Sequence, residues 1–372
     1  MAARDVRGQK APDRKESVVI PGLAFDNLPD ADMRTRYDEA RDALLTFLAG
    51  RKDIVALYEF GTVSAPGVSD LDFVIVAADR PEPDLAAALR VDRLPPLVVR
   101  MMNGGTMMVM RASEFKDMRW WDDVTVRHLA GLVIAFDEPS GDTLRAVEIA
   151  RVVDWLPERI SRLLAIARRD IVPAQQTLCL LQSVSYTFRR LSASFGIEVP
   201  DLESCVRDIH ALRTGWFDLH DKQKQARLTV LVERALHVGM SGLRDFAAWC
   251  GQNNIYRAPD GQLRELSVGR RARFVFGHGE ITVDRALSLS SADLGVVPVP
   301  AVLWGHFAAY AAGDGLIAHS LAGTMSPNPS GGVTSPVMID ALARRMDMVE
   351  RMAAWLRANG FTSGLWKMGW LL

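Results

Sequence analysis

The chain has 372 residues, of which 49% are hydrophobic and 24% are charged, and its formal net charge is −1. This composition is typical of a folded globular protein and excludes a disordered one, and the length allows two or three domains with substantial cores. A net charge near zero gives no general attraction to polyanions, which disfavours a polymeric nucleic acid or an anionic membrane as the partner.

The cysteines and the N-terminus indicate the compartment. Cys179, Cys205 and Cys250 lie far apart without metal-ligand spacing, so we expect buried free thiols in a reducing environment. The charged residues 1–17 contain no apolar signal core, and no segment reaches transmembrane length. We therefore expect a cytoplasmic protein that does not bind membranes.

The N-terminal third of the chain predicts an α/β domain over residues 20–145, preceded by a flexible polar arm at 1–19. Apolar residues at helical spacing predict a helix after Asp30, and a strand at Ile54–Phe60 follows it directly. Two apolar runs flank the Asn-Gly-Gly sequence at 103–105, which is a strong turn signal, so we expect a β-hairpin there.

The rest of the chain predicts two further regions. Residues 146–255 have helical patterning, with a kink or a break expected at Pro157 in the first long helix. Residues 256–372 predict a small mixed α/β region with a hairpin around 277–279. The hydrophobic end, 365–372, is expected to pack against the body of the protein.

The stretch Tyr58–Val76 contains the residues that point to chemistry. Asp70 and Asp72 are two apart on a predicted strand, so both carboxylates project from one face while their apolar neighbours face the other way. Two adjacent like charges are costly, and a bound divalent cation relieves them. The turn at Gly61 and Thr62 offers backbone N–H groups and a hydroxyl to phosphate oxygens. A plain hairpin would explain the glycine but not two acids on one strand face.

This pattern resembles the signature of the DNA polymerase β-type nucleotidyltransferase superfamily: a hydrophobic strand, Gly-Ser or Gly-Thr, a spacer, and Asp-x-Asp on a second strand. The resemblance implies that Asp70 and Asp72 bind Mg²⁺ or Mn²⁺. It also implies that Gly61 and Thr62 hold the β- and γ-phosphates of a nucleoside triphosphate, and that Ser69 supports the first aspartate. The implied reaction moves a nucleoside monophosphate to a hydroxyl of a small molecule or a protein, in preference to nucleic acid.

Members of this family commonly use a third carboxylate on a following strand, but the matching hairpin carries arginines and no acid. The candidates just beyond it are Glu114, Asp117, Asp122 and Asp123. Two interpretations stay open: an enzyme whose third ligand comes from an unusual position, and a catalytically degenerate protein that acts as a nucleotide sensor or a scaffold.

The predicted fold class is therefore α+β, with a nucleotidyltransferase-type mixed sheet at the N-terminus, then a helical region and a small mixed C-terminal region. In the kanamycin-modifying type that the N-terminus resembles, a helical second domain closes the acceptor side of the cleft. By that analogy, the helices between Pro173 and Asn253 would select the acceptor.

Overall fold

The computed structural model of the chain describes residues 24–103, 107–259, 264–268, 271–277, 279, 281–311 and 335–361. Within these ranges the protein is an α+β structure, as predicted. The described strands are β1 (Ala24–Asp26), β2 (Ile54–Phe60), β3 (Asp72–Ala77), β4 (Met108–Arg111), β5 (Val126–Gly131), β6 (Ile171–Pro173), β7 (Arg264–Val268), β8 (Ala272–Gly277) and β9 (Gly295–Pro300). The predicted arm and the hydrophobic end lie outside the described residues.

The helices surround these strands and fill the region between the two larger sheets. The described α-helices are α1 (Tyr37–Leu48), α2 (Leu85–Ala88), α3 (Pro96–Met101), α4 (Ala112–Lys116), α5 (Met118–Trp121), α6 (Gly141–Ala167), α7 (Ala174–Phe195), α8 (Leu202–Thr214), α9 (Asp221–Gln252), α10 (Val283–Leu289), α11 (Trp304–Ala311) and α12 (Pro336–Ala358). Short 3-10 helices lie at Ala31–Thr35, Trp216–Asp218 and Ala301–Leu303.

A four-stranded mixed sheet carries the candidate site, with the strand order β4-β3-β2-β5 among the described residues. β2 lies antiparallel to both β3 and β5, and β4 lies parallel to β3. Every residue of β3 after Asp72 is buried, as expected for an apolar run that is covered on both faces. The predicted strand at Ile54–Phe60 is confirmed as β2.

The predicted hairpin around 103–105 is wrong. Its first apolar run forms the helix α3, and its second forms β4, which pairs with β3. Pro96 occupies the start of α3, where its fixed φ favours helix initiation, and Val98 and Met101 bury one face of the helix. The glycines of the turn signal, Gly104 and Gly105, lie outside the described residues.

The helical region contacts the N-terminal region at the loop that follows β2 and at α5. α6 runs unbroken for 27 residues through Pro157, so a break there is wrong. Packing of α6 against α7, α9 and β9 outweighs the hydrogen bond that proline cannot donate. α7 lies antiparallel to α6: Arg159 of α6 donates to the Thr187 hydroxyl of α7, and Arg190 of α7 donates to Glu148, which lies earlier on α6.

The described part of the C-terminal region contains a second sheet, with the order β7-β8-β9. The hairpin predicted around 277–279 is wrong, because the residues that follow form α10, whose N-cap Thr282 accepts a hydrogen bond from the Arg285 N–H. β9 lies directly on α6. A Cβ placed on Gly295 would stand 1.9 Å from the Ser161 carbonyl oxygen, so only glycine fits there.

A buried polar network joins the C-terminal helices to α6. His306 lies 2.8 Å from Asp154, the Tyr310 hydroxyl donates to Asp154 at 3.1 Å, and Arg345 donates to both Asp154 and Tyr310. Burial alone would raise the pKa of Asp154, but Arg345 and His306 outweigh it and hold that pKa below its usual value. The network ties α6, α11 and α12 into one packed unit.

Candidate active site

The two aspartates lie where the loop after β2 enters β3. β3 begins at Asp72, two residues after Asp70, so the strand opens slightly later than predicted. In the sheet register Asp72 pairs with Phe60, the last residue of β2, and Gly61 follows immediately. The residues on either side of Asp72 are fully buried, whereas both aspartates are half-buried. The sheet therefore places Asp72 next to the Gly61 turn.

The loop between β2 and β3 is held by two side chains from other elements. The Tyr37 hydroxyl donates to the Ser69 carbonyl at 2.6 Å and accepts from the Gly67 N–H at 2.9 Å. Arg213, which is 4% exposed, donates to the hydroxyls of Ser69 at 3.0 Å and Ser64 at 3.3 Å. Ser69 is thus an anchor of the loop, and this anchoring fixes the backbone that carries Asp70.

The two carboxylates are costly to ionise together. Burial, and then the charge of Asp70, raise the pKa of Asp72 to about 8. Burial also raises the pKa of Asp70, although Arg213, the neighbouring Cys179 thiol and Arg162 oppose that shift. A half-buried pair that resists ionisation is an arrangement that a divalent cation relieves.

A cleft of about 300 Å³ opens beside Gly61 and Thr62. Its opposite wall is formed by α6 and α7, so the Gly61 turn faces the helical region across this cleft. Trp155 of α6 and Tyr186 of α7 contribute aromatic rings to the wall. Asp72 pairs with the residue before Gly61, so it lies next to the turn that opens the cleft, although neither aspartate is among the residues that line the cleft.

Four arginines line the cleft and make it a site for anions. Arg151 and Arg190 are balanced by carboxylates, since each contacts both Glu148 and Asp123. Arg159 and Arg189 form no salt bridge with any carboxylate of the described residues. Burial lowers the pKa of Arg159 to about 10, which still leaves it charged at neutral pH. The carboxyl groups of Asp122 and Asp123 also line the cleft, so its four guanidinium groups leave an excess of positive charge that favours an anionic ligand.

The backbone N–H of Gly61, which we expected to contact phosphate, is already hydrogen-bonded within the protein. The Gly61 N–H donates to the Thr125 carbonyl at 2.7 Å, so it ties β2 to the strand β5 rather than facing the cleft. Gly61 has φ of +86°, a left-handed conformation that favours glycine, and an added Cβ would meet nothing closer than Val124 at 3.9 Å. The groups that the turn offers to a phosphate are therefore those of Thr62, whose side chain is exposed.

The structure separates the four candidates for a third carboxylate. Glu114 and Asp117 form salt bridges with arginines of α12 and do not line the cleft. Asp122 and Asp123 do line it. Burial raises the pKa of Asp122, whereas Arg190 and Arg151 together outweigh burial and hold the pKa of Asp123 below its usual value. Neither β4 nor β5, the strands that follow β3, carries an acid.

A divalent cation bound to Asp70 and Asp72 would need further ligands from water or from a bound phosphate. The described residues contain no group of three or more His, Cys, Asp or Glu side chains that could hold a metal ion. None of the four candidate acids therefore joins Asp70 and Asp72. Mg²⁺ commonly binds through one or two carboxylates and completes its shell with water and substrate phosphates. Two hard carboxylates beside an anion-binding cleft match that donor set.

Several residues of the site could not be assigned from the sequence. Cys179 donates its thiol hydrogen to the Val68 carbonyl at 3.4 Å and lies against Asp70. Arg213, Arg151 and Arg159 come from helices far away in the sequence. The only sequence pattern that could have indicated the cleft is the spacing of Arg151 and Arg159, which are eight residues apart and share one face of α6.

The chain matches no protein-family model, no curated protein and no solved structure. In the described ranges, no helix combines the length and the apolar character needed to cross a lipid bilayer. The described cysteines are free thiols: Cys205 and Cys250 are buried, as predicted, whereas Cys179 is half-buried.

Proposed function

We propose that this protein is a metal-dependent nucleotidyltransferase of the DNA polymerase β type. It would move a nucleoside monophosphate from a nucleoside triphosphate to a hydroxyl of a small molecule or a protein. The observation that carries the proposal is the pairing of Asp72 with the strand residue that precedes Gly61, at a cleft where Arg159 and Arg189 form no salt bridge with a described carboxylate. Carboxylates for a cation and guanidinium groups for phosphates are the two requirements of triphosphate chemistry.

Each part of the site has a role in this proposal. Asp70 and Asp72 hold Mg²⁺ or Mn²⁺, and Thr62 and the two arginines bind the β- and γ-phosphates. A bound divalent cation supplies charge neutralisation at the transferring phosphoryl group and orients the triphosphate. Arg213 fixes the loop that presents Asp70, through the Ser69 hydroxyl. The catalytic effect expected from such a site is positioning and electrostatic stabilisation.

The first test is ligand binding. A nucleoside triphosphate should raise the melting temperature of the protein in the presence of Mg²⁺, because a ligand at 100 times its Kd stabilises the folded state by about 2.7 kcal/mol. EDTA should remove most of this effect. An unchanged melting curve at millimolar nucleotide and Mg²⁺ would count against a nucleotide site.

A second function, nucleotide sensing or scaffolding without turnover, is favoured by one observation. No third carboxylate of the described residues joins Asp70 and Asp72, and the wider family commonly uses one. A sensor would bind the triphosphate with Mg²⁺ but release no pyrophosphate with any acceptor. Binding and pyrophosphate release measured on the same sample separate the two functions.

A further inference from the structure

A second cavity, of about 370 Å³, opens beside the loop that carries the aspartates and shares no lining residue with the arginine-lined cleft. Ser69 lines it and immediately precedes Asp70, and Gln175 at the start of α7 lines its far wall. The loop that presents Asp70 therefore forms part of the wall of this cavity.

One face of helix α7 contacts the second cavity, Asp70 and the arginine-lined cleft in turn. Gln175 lines the second cavity, Cys179 contacts Asp70, and Tyr186 and Arg190 line the arginine-lined cleft. At 1.5 Å per residue, Cys179 lies about 6 Å beyond Gln175 and about 10 Å before Tyr186 along the helix axis. Along the axis of α7, the residue that contacts Asp70 therefore lies between the residues that line the two cavities.

The geometry of in-line displacement indicates which substrate would bind in the second cavity. The attacking oxygen approaches phosphorus from the side opposite the leaving group. If the β- and γ-phosphates occupy the arginine-lined cleft, the acceptor hydroxyl approaches from the direction of Ser69 and Gln175. This step rests on the proposed function.

The lining of the second cavity is polar but has no unbalanced charge. Asp30 and Arg100 form a salt bridge with each other, so neither is left to attract a charged ligand. The other polar groups are mainly side-chain amides, which both donate and accept hydrogen bonds, as hydroxyl groups do. The amides are Asn27, Asn103, Gln175 and Gln176.

We infer that the second cavity is the acceptor site and that the acceptor is an uncharged, hydroxyl-rich small molecule. A phosphorylated acceptor would require free cations, as in the arginine-lined cleft, and a polyamine would require free acids. A volume of about 370 Å³ suits a small ligand. In the reaction, the acceptor oxygen bonds to the α-phosphorus, the bond from that phosphorus to pyrophosphate breaks with its electron pair, and the hydroxyl proton passes to solvent.

The test separates acceptors by charge. Polar metabolites from the expression host are divided by ion exchange into neutral, cationic and anionic fractions, and each is incubated with the protein, Mg²⁺ and α-labelled nucleoside triphosphates. We expect label transfer to the neutral fraction. Transfer only to charged compounds or to protein would overturn the inference and leave the proposed function standing. Binding of nucleotide without transfer to any fraction would overturn both the acceptor site and the transferase.

A pair of variants then locates the acceptor. Gln176→Met removes one exposed amide from the second cavity, and we expect it to raise the KM for the neutral acceptor about 3- to 10-fold. The KM for the nucleotide should not change. Arg189→Met should show the reverse pattern. Gln225→Met, an exposed residue of α9 that lines neither cavity, is the matched control. A Gln176→Met variant that raises only the nucleotide KM would place the nucleoside in this cavity and refute the inference.

Discussion

The substitution Asp72→Asn should change the stability of the protein in opposite directions with and without ligand. In the folded, metal-free protein the pKa of Asp72 is raised to about 8, by burial and then by Asp70. An acid with a raised pKa contributes stability at low pH, and this stability is lost as the pH rises through the folded-state pKa. The free energy of unfolding of the metal-free protein should therefore fall between about pH 4 and pH 8.

The magnitude follows from the same pKa. At pH 7 the unfolded chain has lost the proton of Asp72, whose usual pKa is about 4, while the folded protein retains it. Three pH units at about 1.4 kcal/mol each set an upper limit of about 4 kcal/mol. Because Asp72 is partly exposed to solvent and titrates together with Asp70, we expect Asp72→Asn to raise the free energy of unfolding by about 1–3 kcal/mol.

The assay is a thermal melt at pH 7 with EDTA, repeated with Mg²⁺ and a nucleoside triphosphate. Asp72→Asn should melt at a higher temperature than the wild type in EDTA and gain nothing from the ligand. The exposed Asp293→Asn should behave as the wild type in both conditions. A variant that is less stable than the wild type in EDTA, or that keeps the full ligand effect, would refute the metal-site reasoning.

Three further substitutions test other parts of the account. Arg189→Met should weaken Mg²⁺–nucleotide binding about 10- to 100-fold in calorimetry, because a charge-assisted phosphate contact is lost. The exposed Arg207→Met is the control and should leave the affinity unchanged. Equal effects of the two substitutions would show that Arg189 does not bind the nucleotide. Gly61→Ala should cost about 1–2 kcal/mol in unfolding experiments through its left-handed φ alone, and an unchanged stability would refute that strain. Arg345→Met should destabilise the protein by about 3–5 kcal/mol because it leaves Asp154 buried without its cation, whereas the half-exposed Arg344→Met should cost less than about 1 kcal/mol.

Local patterns in the sequence predicted the elements that carry the aspartates. Ile54–Phe60 reads as a strand from its apolar run, and the helices between Pro173 and Asn253 read as helices from their periodicity. The hairpin prediction failed because Asn-Gly-Gly signals a turn without specifying what it joins, and Pro96 initiates a helix before it. The run that becomes β4 could equally pair with its predecessor or with β3.

The arginine-lined cleft could not be predicted, because it depends on contacts between distant segments. Arg151 and Arg159 line the same cleft as Gly61 only in the folded chain, because they lie 90 or more positions away from it in the sequence. Arginines on helices are usually solvated, so the sequence alone favours an exposed face. The role of Arg213 as an anchor of Ser69 depends on a contact across 144 positions of the chain.

The most direct test of the central claim is transfer of label from a nucleoside triphosphate. Wild-type protein is incubated with Mg²⁺, an α-labelled triphosphate and a polar cell extract, and both pyrophosphate and labelled products are measured. We predict Mg²⁺-dependent formation of both in equal amounts, and no product from Asp70→Asn or Asp72→Asn, because an amide keeps the size of the carboxylate but cannot hold the cation. Product formation that persists in both variants would contradict a catalytic role for the aspartate pair.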